Sequence, residues 1–219
     1  MVVNFKDIGK DYVEVYEKLN KKFHNVYSVT AKSLIEFADL PTNEPITVLD
    51  IGCGTGISSL EIYKKLPEGS KLICLDISEE MLKKVRERLR DKKVEVEILK
   101  GDALELPSLI KKEIDYAFSN FTYYYFLKDL KKYFANVYAI LKKGGKFAFN
   151  ITSYFTPIEF EDKKYNQFGK ILIEEAEKVL KENGYEGTGG FNVNLDLVNN
   201  CEKPTKILKE VGLDRKSVV

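Results

Sequence analysis

An α/β fold, doubly wound around a mainly parallel sheet, follows from three observations. Apolar runs of strand length alternate with amphipathic runs of helical length across residues 47–152. The first of those strands, Thr47–Ile51, carries the acid Asp50 and runs straight into three alternating glycines, Gly52, Gly54 and Gly56. The next apolar run, Lys71–Asp76, is itself closed by an acid. A strand that feeds a glycine turn and a helix, followed by a second strand ending in a carboxylate, is the pattern of a nucleoside-binding βαβ unit.

Each element has its own signal. Residues 8–23 place Ile8, Tyr12, Val15, Tyr16, Leu19 and Phe23 at helical spacing, and a second amphipathic stretch carries Val29, Leu34, Ile35 and Ala38 up to Pro41. The helix that leaves the glycines carries Leu60, Tyr63 and Leu66 before Pro67. Ser78 suits a helix N-cap, with Glu79 and Glu80 at the positive helix end and Met81, Leu82, Val85 and Leu89 as the apolar stripe. A third strand, residues 94–99, alternates Val94, Val96 and Ile98 with Glu95 and Glu97, and a fourth is expected over 116–120. The next helix carries Leu130, Phe134, Val137 and Leu141, with Gly144-Gly145 read as its C-terminal cap. A fifth strand is expected over 146–152. The rhythm then breaks into a helical stretch, a glycine-rich turn over 184–190, an alternating run over 191–198 and a last short helix with Ile207, Leu208 and Val211. The organisation read from this is a helical cover (1–45), a nucleoside-binding core (46–152), an inserted lid (153–190) and a strand and helix completing the core (191–219).

Composition narrows the function classes. Of 219 residues, 44% are hydrophobic and 32% charged, which suits one globular α/β domain. The 35 basic and 34 acidic side chains leave a net charge of +1, which disfavours a dedicated nucleic-acid binder. Cys53, Cys74 and Cys201 form no Cys-x-x-Cys pair, so neither a metal site nor a disulfide framework is expected. No apolar run approaches the roughly 20 residues that span a bilayer, and a cytoplasmic location without membrane contact is the expectation.

The glycines and acids also select the ligand. A dinucleotide turn reads G-x-G-x-x-G, but here the position that would hold its last glycine is Ile57. Asp50, just ahead of the turn, would repel a pyrophosphate and attract an ammonium. On these residues the chain resembles the class I S-adenosylmethionine-dependent methyltransferases, a Rossmann-like family. Residues 50–56 are similar to the family's acid-x-Gly-x-Gly-x-Gly motif, and Asp76 stands twenty residues after Gly56, where the family places an acid on the ribose hydroxyls. Gly101-Asp102-Ala103 follows the third strand, Ser119-Asn120 ends the fourth, and residues 141–145 resemble the family's Leu-Lys-Pro-Gly-Gly turn with Lys143 in place of the proline. The resemblance implies that Asp50, Gly52, Gly54 and Gly56 hold the methionine end, Asp76 the ribose and Asp102 the adenine. It likewise implies Cys53, Ile77, Met81 and Ala103 as further cofactor-binding residues and Asn120 in the loop that faces the methionine moiety and the substrate. Residues 5–12 are similar to the family's N-terminal segment, which puts Tyr12, with Tyr16 as the second candidate, over the cofactor.

The reaction so implied converts S-adenosylmethionine to S-adenosylhomocysteine while methylating a small-molecule acceptor. Tyr123, Tyr124 and Phe126 of the aromatic run after the fourth strand are the expected acceptor-pocket residues, since aromatic faces hold planar or cationic groups. No catalytic base is assigned: His24 is the sole histidine and lies on the cover. A short likeness of residues 119–122 to malonyl-carrier-protein methyltransferases keeps a protein, carrier-protein or RNA acceptor as the alternative. A catalytically silent cofactor-binding partner subunit is the reading from another class. Family members end on an antiparallel strand pair that residues 215–219 are too few to supply unless residues 191–198 substitute for a strand, so a monomer or a homodimer pairing an open sheet edge are both expected.

Overall fold

A computed structural model describes residues 8–41, 43–90, 94–111, 113–150 and 202–213. Its strands are β1 (Thr47–Ile51), β2 (Lys71–Asp76), β3 (Glu95–Lys100), β4 (Ile114–Ser119) and β5 (Leu141–Phe149). They form one sheet in the order β3-β2-β1-β4-β5, with every neighbouring pair parallel. The helices are α1 (Lys10–Lys22), α2 (Val26–Ala38), α3 (Ile57–Lys65), α4 (Glu79–Arg88), α5 (Leu106–Leu109), α6 (Leu130–Ile140) and α7 (Glu202–Glu210). Among the described residues no helix is long and apolar enough to cross a membrane.

The central strands are continuously apolar because helices cover both faces of the sheet. Period-two alternation sorts their side chains into two cores. Val48, Leu72 and Cys74 pack with Leu34, Ile35, Ile62, Leu82 and Val85 from α2, α3 and α4. Leu49, Ile51, Ile73 and Leu75 pack with Leu106, Phe134, Val137 and Ile140 from α5 and α6. Helix α7 adds Ile207 and Leu208 to this second core, Val211 joins them from the turn after it, and Lys131 pairs with Glu210 at 3.0 Å. Strand order places β1 and β4 side by side while their following helices depart to opposite faces. That is a topological switch point, where ligands of α/β sheets sit beyond the carboxyl ends of the strands.

Two expectations need correction. Gly144-Gly145 does not cap α6. The helix stops at Ile140, and Leu141 is already extended and paired with Ile114 in β5. The two glycines instead lie inside β5 at a shift of register against β4, Gly144 at φ +82 and Gly145 where a Cβ would crowd the Ile114 and Lys142 carbonyl oxygens at 3.0 Å. Strand pairing takes the carbonyl and amide groups that a cap would have used, and glycine absorbs the bulge. The second correction concerns Tyr123, expected to face an acceptor. It is fully buried, stacked on Phe149 at 5.8 Å and tilted against Phe134 at 6.3 Å, because residues 123–129 form a 3₁₀ turn that rolls it under α6. Phe126 likewise lies flat on Tyr133 at 4.1 Å at the edge of the same core. The Tyr124 side chain, the lid read over 153–190 and the strand read over 191–198 lie outside the described residues.

The cover is an α1–α2 corner. Helix α2 packs along α3 and β5, where Lys146 donates to the Ala38 carbonyl at 2.8 Å. Helix α1 crosses to α4 through a small cluster of Ile8, Val13 and Met81, with Tyr12 and Tyr16 against it. Tyr123→Ala, by emptying a fully buried aromatic site, is expected to cost about 3–5 kcal/mol of stability in chemical denaturation. A loss below 1 kcal/mol would mean that the ring is not part of the core.

Candidate functional site

The turn from β1 into α3 is the floor of the site. Gly52, Gly54 and Gly56 all have positive φ, at +68, +54 and +81. A Cβ on Gly52 would run into the Thr122 side chain, and one on Gly56 would lie 3.3 Å from the Val85 Cα. The turn is thereby pressed between the β4 exit and α4. Its N–H groups are used internally: Gly52 and Cys53 both donate to the Leu75 carbonyl (2.8 and 2.9 Å), Gly54 donates to Asp76 Oδ2 (2.8 Å) and Gly56 to the Cys53 carbonyl (2.9 Å). The folded turn holds its ligand side with space and carboxylates instead. Such a surface has little to offer a pyrophosphate.

Asp50 lies beneath this floor rather than on it. Its side chain is 1% exposed and accepts a 2.6 Å hydrogen bond from Ser59 Oγ, which ties β1 to the first turn of α3. Burial, reinforced by the neighbouring Asp76 charge, raises its pKa from 3.8 to about 7 against the opposing Ser59 bond. Asp76 closes β2 with Oδ2 on the Gly54 N–H and Oδ1 on the Ser78 N–H at 2.9 Å. Burial raises its pKa too, and the N–H groups of Ser78, Gly54 and Ile77 restrain the rise. Each Asp76 oxygen keeps a lone pair for a further donor. Asp102, after β3, caps the 3₁₀ turn Ala103–Glu105 by accepting from the Leu104 N–H at 2.9 Å with Oδ1. Ile77 contributes its N–H to Asp76, Met81 is buried under α1, and Ala103 is buried in the second core.

The roof is aromatic. Tyr16 places its hydroxyl oxygen 3.4 Å from where a Gly54 Cβ would be, and its ring stacks on Tyr27 at 4.8 Å with an 8° interplanar angle. Phe121 meets Tyr27 edge-on at 5.2 Å. Burial and the surrounding Tyr27, Tyr125 and Asp76 push the Tyr16 hydroxyl well above its usual pKa, so it stays protonated. Tyr12, the first candidate from the sequence, packs one turn earlier against Ile8, Val13 and Met81. Asn120, expected at the reacting end, uses its amide within the protein. Nδ2 donates to the Tyr27 carbonyl (2.9 Å) and Ser58 Oγ (2.8 Å), and Oδ1 accepts from Asn150 Nδ2 (2.6 Å). Asn150 Oδ1 in turn accepts from the Phe121 N–H at 2.6 Å, holding Phe121 at φ +56, a backbone conformation uncommon for an aromatic residue. Tyr27 and Ser59 carried no sequence signal, whereas Phe121 and Thr122 lie in residues 119–122, singled out above for their likeness to malonyl-carrier-protein methyltransferases. Tyr16, the second candidate from the sequence, is the one of the two that stands over the turn, four residues after Tyr12 on the same helix face.

Comparison with known proteins places this arrangement. Residues 48–145 match the family model described as a methyltransferase domain. An uncharacterized methyltransferase of Geobacillus sp. (strain WCH70) is 33% identical over 210 residues, covering 95% of this chain and 87% of that protein. The chain belongs to the class I S-adenosylmethionine-dependent methyltransferases. A malonyl-[acyl-carrier protein] O-methyltransferase of Acetivibrio thermocellus is 26% identical over 201 residues, which cover 86% of this chain and 66% of the length of that relative. The fold agrees with a solved structure from Methanococcus maripaludis, a candidate S-adenosyl-L-methionine-dependent methyltransferase. It has a TM-score of 0.64 at 22% identity and covers 100% of this chain and 91% of its own.

The family's cofactor fits the residues present. Asp76 has acceptor capacity for two ribose hydroxyls, Asp102 keeps an oxygen for an exocyclic amine, and the paired acids beneath the turn favour a cationic methionine end. A methyltransferase floor of this kind carries its own pH signature. Asp50 binds its proton more tightly when folded, so its contribution to stability is fully present below pH 4 and is lost as pH rises through about 7. The thermal midpoint of the unliganded protein is expected to fall between about pH 4 and 7, and Asp50→Asn is expected to flatten that slope. An unchanged slope in the variant would assign the titration elsewhere.

Proposed function

We propose that this methyltransferase transfers the methyl group of S-adenosylmethionine to a small-molecule acceptor, chiefly by positioning. The observation that carries the reading is the pairing of an acidic glycine floor with a closed aromatic roof. Asp50 and Asp76 bias the floor toward a cation, and Tyr16, Tyr27 and Phe121 offer the flat, water-excluding walls that suit a small planar or apolar acceptor. S-adenosylmethionine supplies a methyl group on a sulfonium, open to in-line displacement. Alignment then accounts for most of the acceleration.

In this reading Asp76 orients the nucleoside from the end of β2, and Asp102 does so from the end of β3. Tyr16 covers the reacting end from α1 and excludes water with a hydroxyl that remains protonated. Asn120 and Asn150 act one step back, fixing Phe121 and the start of α2 rather than touching the reacting atoms. His24 is exposed in the corner between α1 and α2 and takes no part. The acceptors favoured are those whose nucleophilic atom needs no base from the protein, such as carboxylates and neutral amines. A carrier-linked carboxylate is the second reading, supported by the Acetivibrio relative.

Calorimetric titration tests the cofactor, and a methyl-transfer screen tests the acceptor. S-adenosylmethionine and S-adenosylhomocysteine are expected to bind and NADH not to bind. Asp76→Asn is expected to weaken binding by about tenfold or more, the loss of a charged hydrogen-bond acceptor. Absence of binding by folded protein would overturn the cofactor assignment. Turnover on a carrier-bound acid but on no free acid or amine would transfer the assignment to the second reading.

A further inference from the structure

Arg88, the last residue of α4, joins three parts of the molecule that are remote in sequence. Its Nη2 donates to both carboxylate oxygens of Glu17 on α1, at 3.0 and 3.1 Å. Its Nη1 donates to the Thr55 carbonyl inside the glycine turn and, at 3.1 Å, to the Thr55 hydroxyl. The Arg88 and Glu17 side chains are only 23% and 22% exposed, and Thr55 is buried. A two-pronged, half-buried guanidinium bond of this kind is stronger and more directional than the surface pairs nearby, such as Lys84–Glu87.

Apolar burial alone holds α1 weakly. One side of the helix supplies Val13, Tyr12 and Tyr16 to a small cluster with Ile8 and Met81, while Val15, Leu19 and Phe23 are 50%, 37% and 40% exposed. Elements with few buried apolar contacts open first. Glu17 directly follows Tyr16 in the chain, and Thr55 directly follows Gly54, the residue over which Tyr16 stands. Fixing Glu17 to Thr55 therefore fixes the Tyr16 ring over Gly54.

We infer that Arg88 and Glu17 form the clamp that seats α1, and with it Tyr16, over the glycine turn, so that the pair sets how long a bound nucleoside is retained. This rests on the cofactor reading above for its ligand and on geometry alone for the clamp. Neither residue touches the cofactor in this assignment. Both are positioning residues that act through Tyr16.

Two measurements on the full chain separate the clamp from the cofactor assignment. The first is amide hydrogen exchange of the unliganded protein. Glu17→Gln, a near-isosteric change at the outer prong, is expected to raise exchange across residues 10–22 by about three- to tenfold while β1 and β2 keep wild-type protection. Unchanged exchange in α1 overturns the clamp, whether or not any nucleoside binds. The second is the rate of S-adenosylhomocysteine release. Glu17→Gln and Arg88→Lys are expected to speed release by a similar about three- to tenfold factor, with association little changed. About 0.5 M KCl is expected to accelerate release from the wild type but not from Glu17→Gln, because salt screens an ion pair that the variant lacks. Faster α1 exchange with wild-type release overturns the retention role. Wild-type protein that binds no S-adenosylhomocysteine overturns the cofactor reading instead, while the exchange result still decides the clamp.

Discussion

The constraint on which the rest of the structure depends is steric: a short turn between β1 and α3 must be approached at contact distance from three directions. Thr122 comes from the β4 exit into the space a Gly52 side chain would need, Val85 from α4 lies 3.2 Å from where a Gly56 Cβ would be, and Tyr16 from the cover stands at contact distance over Gly54. Glycine serves twice here, by giving the left-handed angles that turn the chain into α3 and by leaving the surface bare for its neighbours. Once that turn is set, the carboxyl ends of β1, β2 and β4 converge on one spot. The strand order then places that spot at the switch point of the sheet.

Electrostatics sharpen what the turn can hold. In a phosphate-binding turn the free N–H groups face the ligand. Here those of Gly52, Cys53, Gly54 and Gly56 are absorbed by Leu75, Asp76 and the turn itself. The acids left at the turn are Asp76 and, beneath it, the buried Asp50, and burial disfavours the ionised form of both. A cation relieves that cost and an anion adds to it. The same chemistry that marks the family motif thus excludes the dinucleotide alternative, through hydrogen-bond accounting as well as through charge.

The roof is assembled with less apolar burial than the floor. Helix α2 is pinned by core contacts with α3 and by polar ties such as Lys146 to Ala38, whereas α1 rests on one small cluster, the Tyr16–Tyr27 stack, the Asn20 bond to the Tyr27 N–H and the Arg88 bonds. A cover of this kind can be released without disturbing the sheet.

The sheet and its order of elements were legible because each strand and helix carries a local signal. Continuous apolar runs gave β1 and β2, glycines followed by Leu60 and Tyr63 gave α3, and Ser78 gave the cap of α4, whose hydroxyl accepts from the Met81 N–H. The acids at strand ends were legible for the same reason, since a carboxylate closing an apolar run needs a purpose. What the sequence could not give is which side chains share a wall. Tyr123 and Phe126 went to the core because a 3₁₀ turn rotated them inward, and Gly144-Gly145 went to a bulge because pairing with β4 outweighed a helix cap. Tyr27, Phe121 and Arg88 reached the site from segments far apart in the chain. Local patterns are fixed by neighbours a few residues away, so the sequence by itself determined the elements, the glycine floor and its acids. The roof, the buried place of Asp50 and the Arg88 bridge depend on contacts between residues dozens apart, and only the packed tertiary structure decided them.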